Sequence, residues 1–115
     1  MKTQKVTIAG IEVGIAYCYA TEIAFANLTG GKAPADMIQS ATINPSEVAY
    51  LIISAIQAYY KDEEAPVKDV DLMYEATPEE LNKAFAAVIE LFKEWYSIPK
   101  GAESKKKKGK ESKNV

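Results

Sequence analysis

The chain contains no histidine, and its 14 cationic residues are all lysine. Without His there is no imidazole for acid–base catalysis and no histidine ligand for a metal. One cysteine, Cys18, excludes an intrachain disulfide and a Cys-cluster zinc site. The lack of Arg removes the planar, bidentate donor that favours specific contacts to phosphates and base edges. No apolar run approaches the ~20 residues of a membrane span. Thr3, Gln4 and Lys5 interrupt the opening where a signal peptide would need apolar residues.

What is present suits one domain. The chain has 115 residues, of which 48% are hydrophobic, and seven of its aromatics are Tyr beside three Phe and one Trp. The net charge of −2 conceals an asymmetry. Residues 1–99 carry fourteen acids and seven lysines, whereas 100–115 carry seven lysines and two glutamates. We read 1–99 as a single globular domain and 100–115 as a disordered Lys-rich tail, because Lys105–Lys108 repel one another and almost nothing apolar accompanies them. An acidic body with a short basic tail points to a soluble cytoplasmic protein without membrane association.

The opening alternates as a β-hairpin. With Ala9-Gly10 as a two-residue turn, Ile8 faces Ile11, Val6 faces Val13 and Thr7 faces Glu12. Such a hairpin is marginal alone and must lie on helices or join a partner's sheet. A first main helix is expected over about Tyr17–Leu28, with a stripe of Ala16, Tyr19, Ala20, Ile23 and Asn27 widened by Ala24 and Leu28, stopped at Gly30. The second starts at Asn44-Pro45-Ser46-Glu47 and carries Val48, Leu51, Ile52, Ala55, Ile56 and Tyr59. The third starts at Thr77-Pro78-Glu79-Glu80 and carries Leu81, Phe85, Val88, Ile89, Phe92 and Tyr96, with Pro99 and Gly101 closing the fold. One or two short helices, after Pro34 and near Leu72, complete the expectation. The fold class is α+β and mostly α: an N-terminal β-hairpin, three main helices and a disordered basic C-terminal tail.

Chemistry-bearing patterns have bland explanations. Glu63-Glu64, Asp69-Asp71 and Glu79-Glu80 sit in linkers or helix first turns, where solvated charge complements the helix dipole. Gly30-Gly31-Lys32 lacks the first Gly and the final Ser or Thr of a phosphate loop and reads as a helix stop. No segment has the acidic spacing of an EF-hand. Cys18 reads as a buried, inert thiol. No catalytic residue, cofactor or metal site is expected, and an enzyme is the least supported class.

The aromatic surplus is more informative. Tyr50, Ile53 and Tyr60 lie off the main stripe of the second helix, and Leu91 and Trp95 occupy a second side of the third. These five form either an exposed partner-binding patch or a surface covered by the two short helices.

The strand pair Val6–Val13, the helix Tyr19-Ala20-Thr21-Glu22-Ile23 through Leu28-Thr29-Gly30, and the Thr77-Pro78-Glu79-Glu80 helix together resemble the tail assembly chaperones of long-tailed phages and prophages, over roughly residues 4–97. The resemblance implies a small, mainly helical, non-enzymatic protein of the bacterial host cytoplasm that binds the apolar tape measure protein before the tail tube polymerises. The tail tube protein is a second implied partner, and many such proteins also exist in a frameshifted longer form. Two other readings stand beside it. The Lys-rich tail could bind nucleic acid nonspecifically by counterion release, or the chain could be a structural tail or connector subunit. An unpaired hairpin edge adds self-association as a homo-oligomer.

Overall fold

The computed structural model describes residues 2–97. The Lys-rich tail, and the closing Pro99 and Gly101, lie outside the described residues.

Strands β1 (Thr3–Ile8) and β2 (Ile11–Ala16) form an antiparallel hairpin. Five helices follow: α1 (Tyr19–Thr29), α2 (Pro34–Ile38), α3 (Pro45–Tyr60), α4 (Asp69–Tyr74) and α5 (Pro78–Ser97). The chain is an N-terminal hairpin followed by helices, and helix dominates. The register is the expected one, with Ile8 opposite Ile11, Val6 opposite Val13 and Thr7 opposite Glu12.

Ala-Gly is a poor turn dipeptide because Ala resists a positive φ, yet Ala9 and Gly10 adopt φ values of 54° and 77°. The side chain of Glu80 supplies what the turn lacks. The Ala9 N–H donates to Glu80 Oε1 at 2.9 Å and the Gly10 N–H to Oε2 at 3.0 Å. The same carboxylate accepts from Thr77 N–H at 3.0 Å, while the Glu80 N–H donates to Thr77 Oγ1 at 3.2 Å. The capping box that starts α5 therefore also clasps the hairpin turn. Farther along, Gln4 Nε2 donates to Glu90 Oε1 at 2.9 Å and Lys2 pairs with Glu94 at 3.6 Å, so β1 runs antiparallel along α5.

The amides of Thr77, Gly10 and Ala9 hold the Glu80 carboxyl below the usual carboxylate range, against desolvation, which acts in the other direction. A lowered folded pKa contributes stability above the unfolded value of about 4.3 and loses it as pH falls through the lower folded value. Glu80→Gln should therefore lower the melting temperature most near neutral pH, and the gap to wild type should close below about pH 4. Thermal melts across that range check this; a gap that stays constant down to about pH 3 contradicts the clasp.

Helix α3 forms the centre of the core. Asn44 caps it, its Oδ1 accepting from the Ser46 N–H at 2.9 Å and the Ser46 hydroxyl at 2.7 Å. Glu47 is drawn away from the cap to an ion pair with Lys32. Leu51 through Ile56 are all buried because β2, α1, α5 and α4 each pack against this one helix. The buried cluster joins Ile8, Val13 and Ile15 of the hairpin to Phe25, Met37, Leu72 and Val88, so both short helices contribute to one core.

Two helices are rotated from the expected stripes. On α1 only Thr21 and Phe25 are buried, while Tyr19, Ile23 and Leu28 are exposed. The helix starts two residues later than expected, after Thr21 Oγ1 both accepts from the Cys18 N–H at 3.2 Å and donates to the Ala16 carbonyl at 2.9 Å. That lock turns Phe25 inward. Cys18 is half-buried rather than fully enclosed. On α5 the buried line is Ala84, Val88 and Leu91, and Tyr96 is exposed, because the helix is wedged between β1 and α3.

Candidate functional site

The five partner-binding residues expected from the sequence separate in the structure. Ile53 and Leu91 belong to the core, at 2% and 3% exposure, and offer no surface. Their second sides are enclosed because α3 and α5 are contacted from several directions. Tyr60 is half-buried, and its hydroxyl accepts the outward-pointing Gly14 N–H at 3.1 Å, which closes part of the β2 edge. Trp95 is half-buried with its ring 6.5 Å from that of Tyr17. Among the described residues, Tyr50 is the one of the five that lines one of the hollows described below.

Tyr17, expected at the start of α1, instead sits buried against Phe92, the two rings 5.4 Å apart and edge to face. Its hydroxyl donates to Glu22 Oε2 at 2.8 Å, and the Tyr96 hydroxyl donates to the same oxygen. Burial first, then the hydrogen bond and charge of Glu22, push the Tyr17 phenol far above its ordinary range; the hydrogen bond to Glu22 also raises that of Tyr96. This cluster fastens α1 to the end of α5.

The depression at Tyr50 is the candidate site. Pro45, Ser46, Ala49, Tyr50, Leu72, Met73 and Leu81 line a hollow of about 360 Å³. A second hollow of about 350 Å³ adjoins it, sharing Pro45, Ala49 and Leu81 and adding Ile43, Val48, Ala76 and Pro78. Together they make an apolar groove where the first turns of α3 and α5 meet beneath α4. Helices α3 and α5, both started by a proline, thus bring their N-terminal ends to one place. Ile43 and Met73 border the groove at 45% and 51% exposure, and Val70 and Tyr74 continue the exposed apolar surface along α4. The sequence reading missed this rim. Its signal was the short apolar run Leu72-Met73-Tyr74, of which Leu72 alone turns inward.

The groove can bury apolar surface, and its only polar lining groups are Ser46, Asn82 and the Tyr50 phenol. A larger hollow of about 580 Å³ runs between β1 and α5 past Lys5, Thr7, Glu79, Glu80 and Lys83. Its two carboxylates are committed, Glu80 to the turn amides and Glu79 to Lys83 at 3.1 Å. Among the described residues no three His, Cys, Asp or Glu side chains gather as a metal would require, and no helix is long and apolar enough to cross a membrane. Comparison of the chain with protein-family models, with curated proteins and with solved structures finds no match.

Proposed function

We propose that this chain is a non-enzymatic assembly chaperone that holds an apolar helical client, the tape measure protein of a phage tail, until the tail tube forms around it. The observation that carries the reading is the groove between the first turns of α3 and α5, apolar along its floor and bordered by exposed Ile43 and Met73. Grooves of this form accept the apolar face of a helix with anchors at i, i+3, i+4 and i+7. Tyr50 offers wide contact at low entropic cost. A long client with a repeated stripe would gather many weak contacts of this kind. The resemblance to tail assembly chaperones supplies the identity of the client.

Co-expression tests it. The tape measure protein encoded beside this chain should remain soluble in its presence and aggregate in its absence. Tyr50→Ala, which truncates a half-buried wall residue, should reduce the soluble fraction several-fold while the variant itself stays folded by circular dichroism. A client that is equally soluble with and without the wild-type chain would remove the proposal. So would finding the chain as a stoichiometric part of purified tails, which a chaperone leaves.

A further inference from the structure

The negative charge of the domain is concentrated in one segment of the chain, which flanks the groove without any acid joining its lining. Residues 62–80 hold eight acids and one lysine, while the remainder of 1–99 holds six acids and six lysines. The whole excess negative charge of the domain therefore lies in the segment that supplies Leu72, Met73, Ala76 and Pro78 to the groove. Some of these acids are already engaged: Glu80 by the turn amides, Glu64 by Lys68, Glu79 by Lys83, and Asp71 by the Lys68 N–H at 3.0 Å. The four ion pairs among the described residues leave Asp69 and Glu75, both exposed at the two ends of α4, without a cation.

We infer that the groove selects a partner helix whose apolar stripe is bordered by lysines or arginines. The inference rests on the client-binding reading and narrows its partner by charge. A second copy of this chain would bring the same exposed acids, Asp69 and Glu75, and be repelled. The chain's own segment 100–115 has the matching charge, but Ala102 and Val115 are its only apolar side chains, too few to fill the floor. An external basic amphipathic helix satisfies both surfaces. Because the acids are solvent-exposed, their contribution appears chiefly in encounter rate and salt dependence.

The test uses the full-length chain and two synthetic helical peptides of about 20 residues, long enough to cross both hollows. They share one leucine stripe and differ only in flanking Lys or Glu. Fluorescence anisotropy at low salt should show the Lys-flanked peptide binding at least about tenfold more tightly, with the advantage lost near 0.5 M salt. Asp69→Asn with Glu75→Gln should reduce that advantage without abolishing binding. Met73→Asn, at an exposed groove position, should weaken both peptides. Equal binding of both peptides, still weakened by Met73→Asn, would overturn the charge selection and leave the groove reading standing. Binding indifferent to Met73→Asn would overturn the groove itself. A large gain in affinity on changing Lys105–Lys108 to Gln would assign the acids at the ends of α4 to the chain's own lysines and overturn the inference.

Discussion

Phe25→Ala is expected to lower stability by about 3–5 kcal/mol, the ordinary cost of removing a buried phenylalanine and leaving a cavity. The consequence is large for a domain whose whole stability is on the order of 5–15 kcal/mol. Phe25 is the only large apolar side chain of α1 that is fully buried, since the other buried residue of that helix is Thr21. Without it, α1 keeps the Thr21 lock and the Glu22 bridge to Tyr17 and Tyr96, but no apolar anchor of its own. The control is Ile23→Ala in the same helix. Ile23 is 48% exposed, so its loss should change stability by only about 0.5 kcal/mol. Urea or thermal unfolding of the two variants separates the observed α1 orientation from the one its apolar periodicity suggests. A larger loss at Ile23 than at Phe25 would show the helix turned the other way.

Gly14→Val should destabilise by about 1–3 kcal/mol, the range for overpacking a filled site. The direction is the informative part. Gly weakens a strand interior and Val suits one, so propensity alone favours the substitution. At Gly14, however, an added Cβ would stand 2.4–2.6 Å from three atoms of the Tyr59 ring. Tyr59 has little freedom to retreat, because it packs on Tyr60 with ring centroids 4.8 Å apart. Tyr60 in turn is held by the hydrogen bond from the Gly14 N–H. The valine must therefore displace the end of α3 from β2, and that hydrogen bond with it. A Gly14→Val chain as stable as wild type in denaturant melts would contradict this close approach.

These two positions also mark where the sequence stops being legible. The hairpin register, the Gly30 helix stop, the starts of α3 and α5 and both short helices follow from local chemistry that needs no tertiary knowledge: alternation, prolines and cap residues, and φ > 0 at glycine. Gly30, at φ 77°, and the Asn44 and Thr77 caps are direct instances. The orientation of α1 is not local. Its apolar residues are spread round the helix, and a polar residue, Thr21, takes a buried place because its hydroxyl serves the end of β2. On α5 the expected Val88 is buried and Leu81, Phe85 and Phe92 pack half-buried on the core, but the fully buried line shifts to Ala84, Val88 and Leu91, since a helix wedged between a strand and another helix buries the line between two half-covered faces. Of the candidate site, Tyr50 was visible as an aromatic off the main stripe. The rest of the groove comes from Ile43, Ala49, Met73 and Pro78, which lie far apart in the chain and are gathered only when α4 docks on α3. Gly14 and Tyr60 show the complementary error: a ring that looked available for a partner is occupied by the protein's own backbone.

The most direct measurement is amide and methyl chemical-shift mapping of the full-length chain during titration with the proposed client, a phage tape measure protein, or its apolar helical segments. The account predicts that the changes concentrate at Ile43–Tyr50, Val70–Ala76 and Pro78–Asn82, with the methyls of Met73 and Leu81 among the most affected and those of Ile53 and Leu91 nearly still. Changes centred instead on the outward face of α1, at Tyr19 and Ile23, or no changes at saturating client, would contradict it.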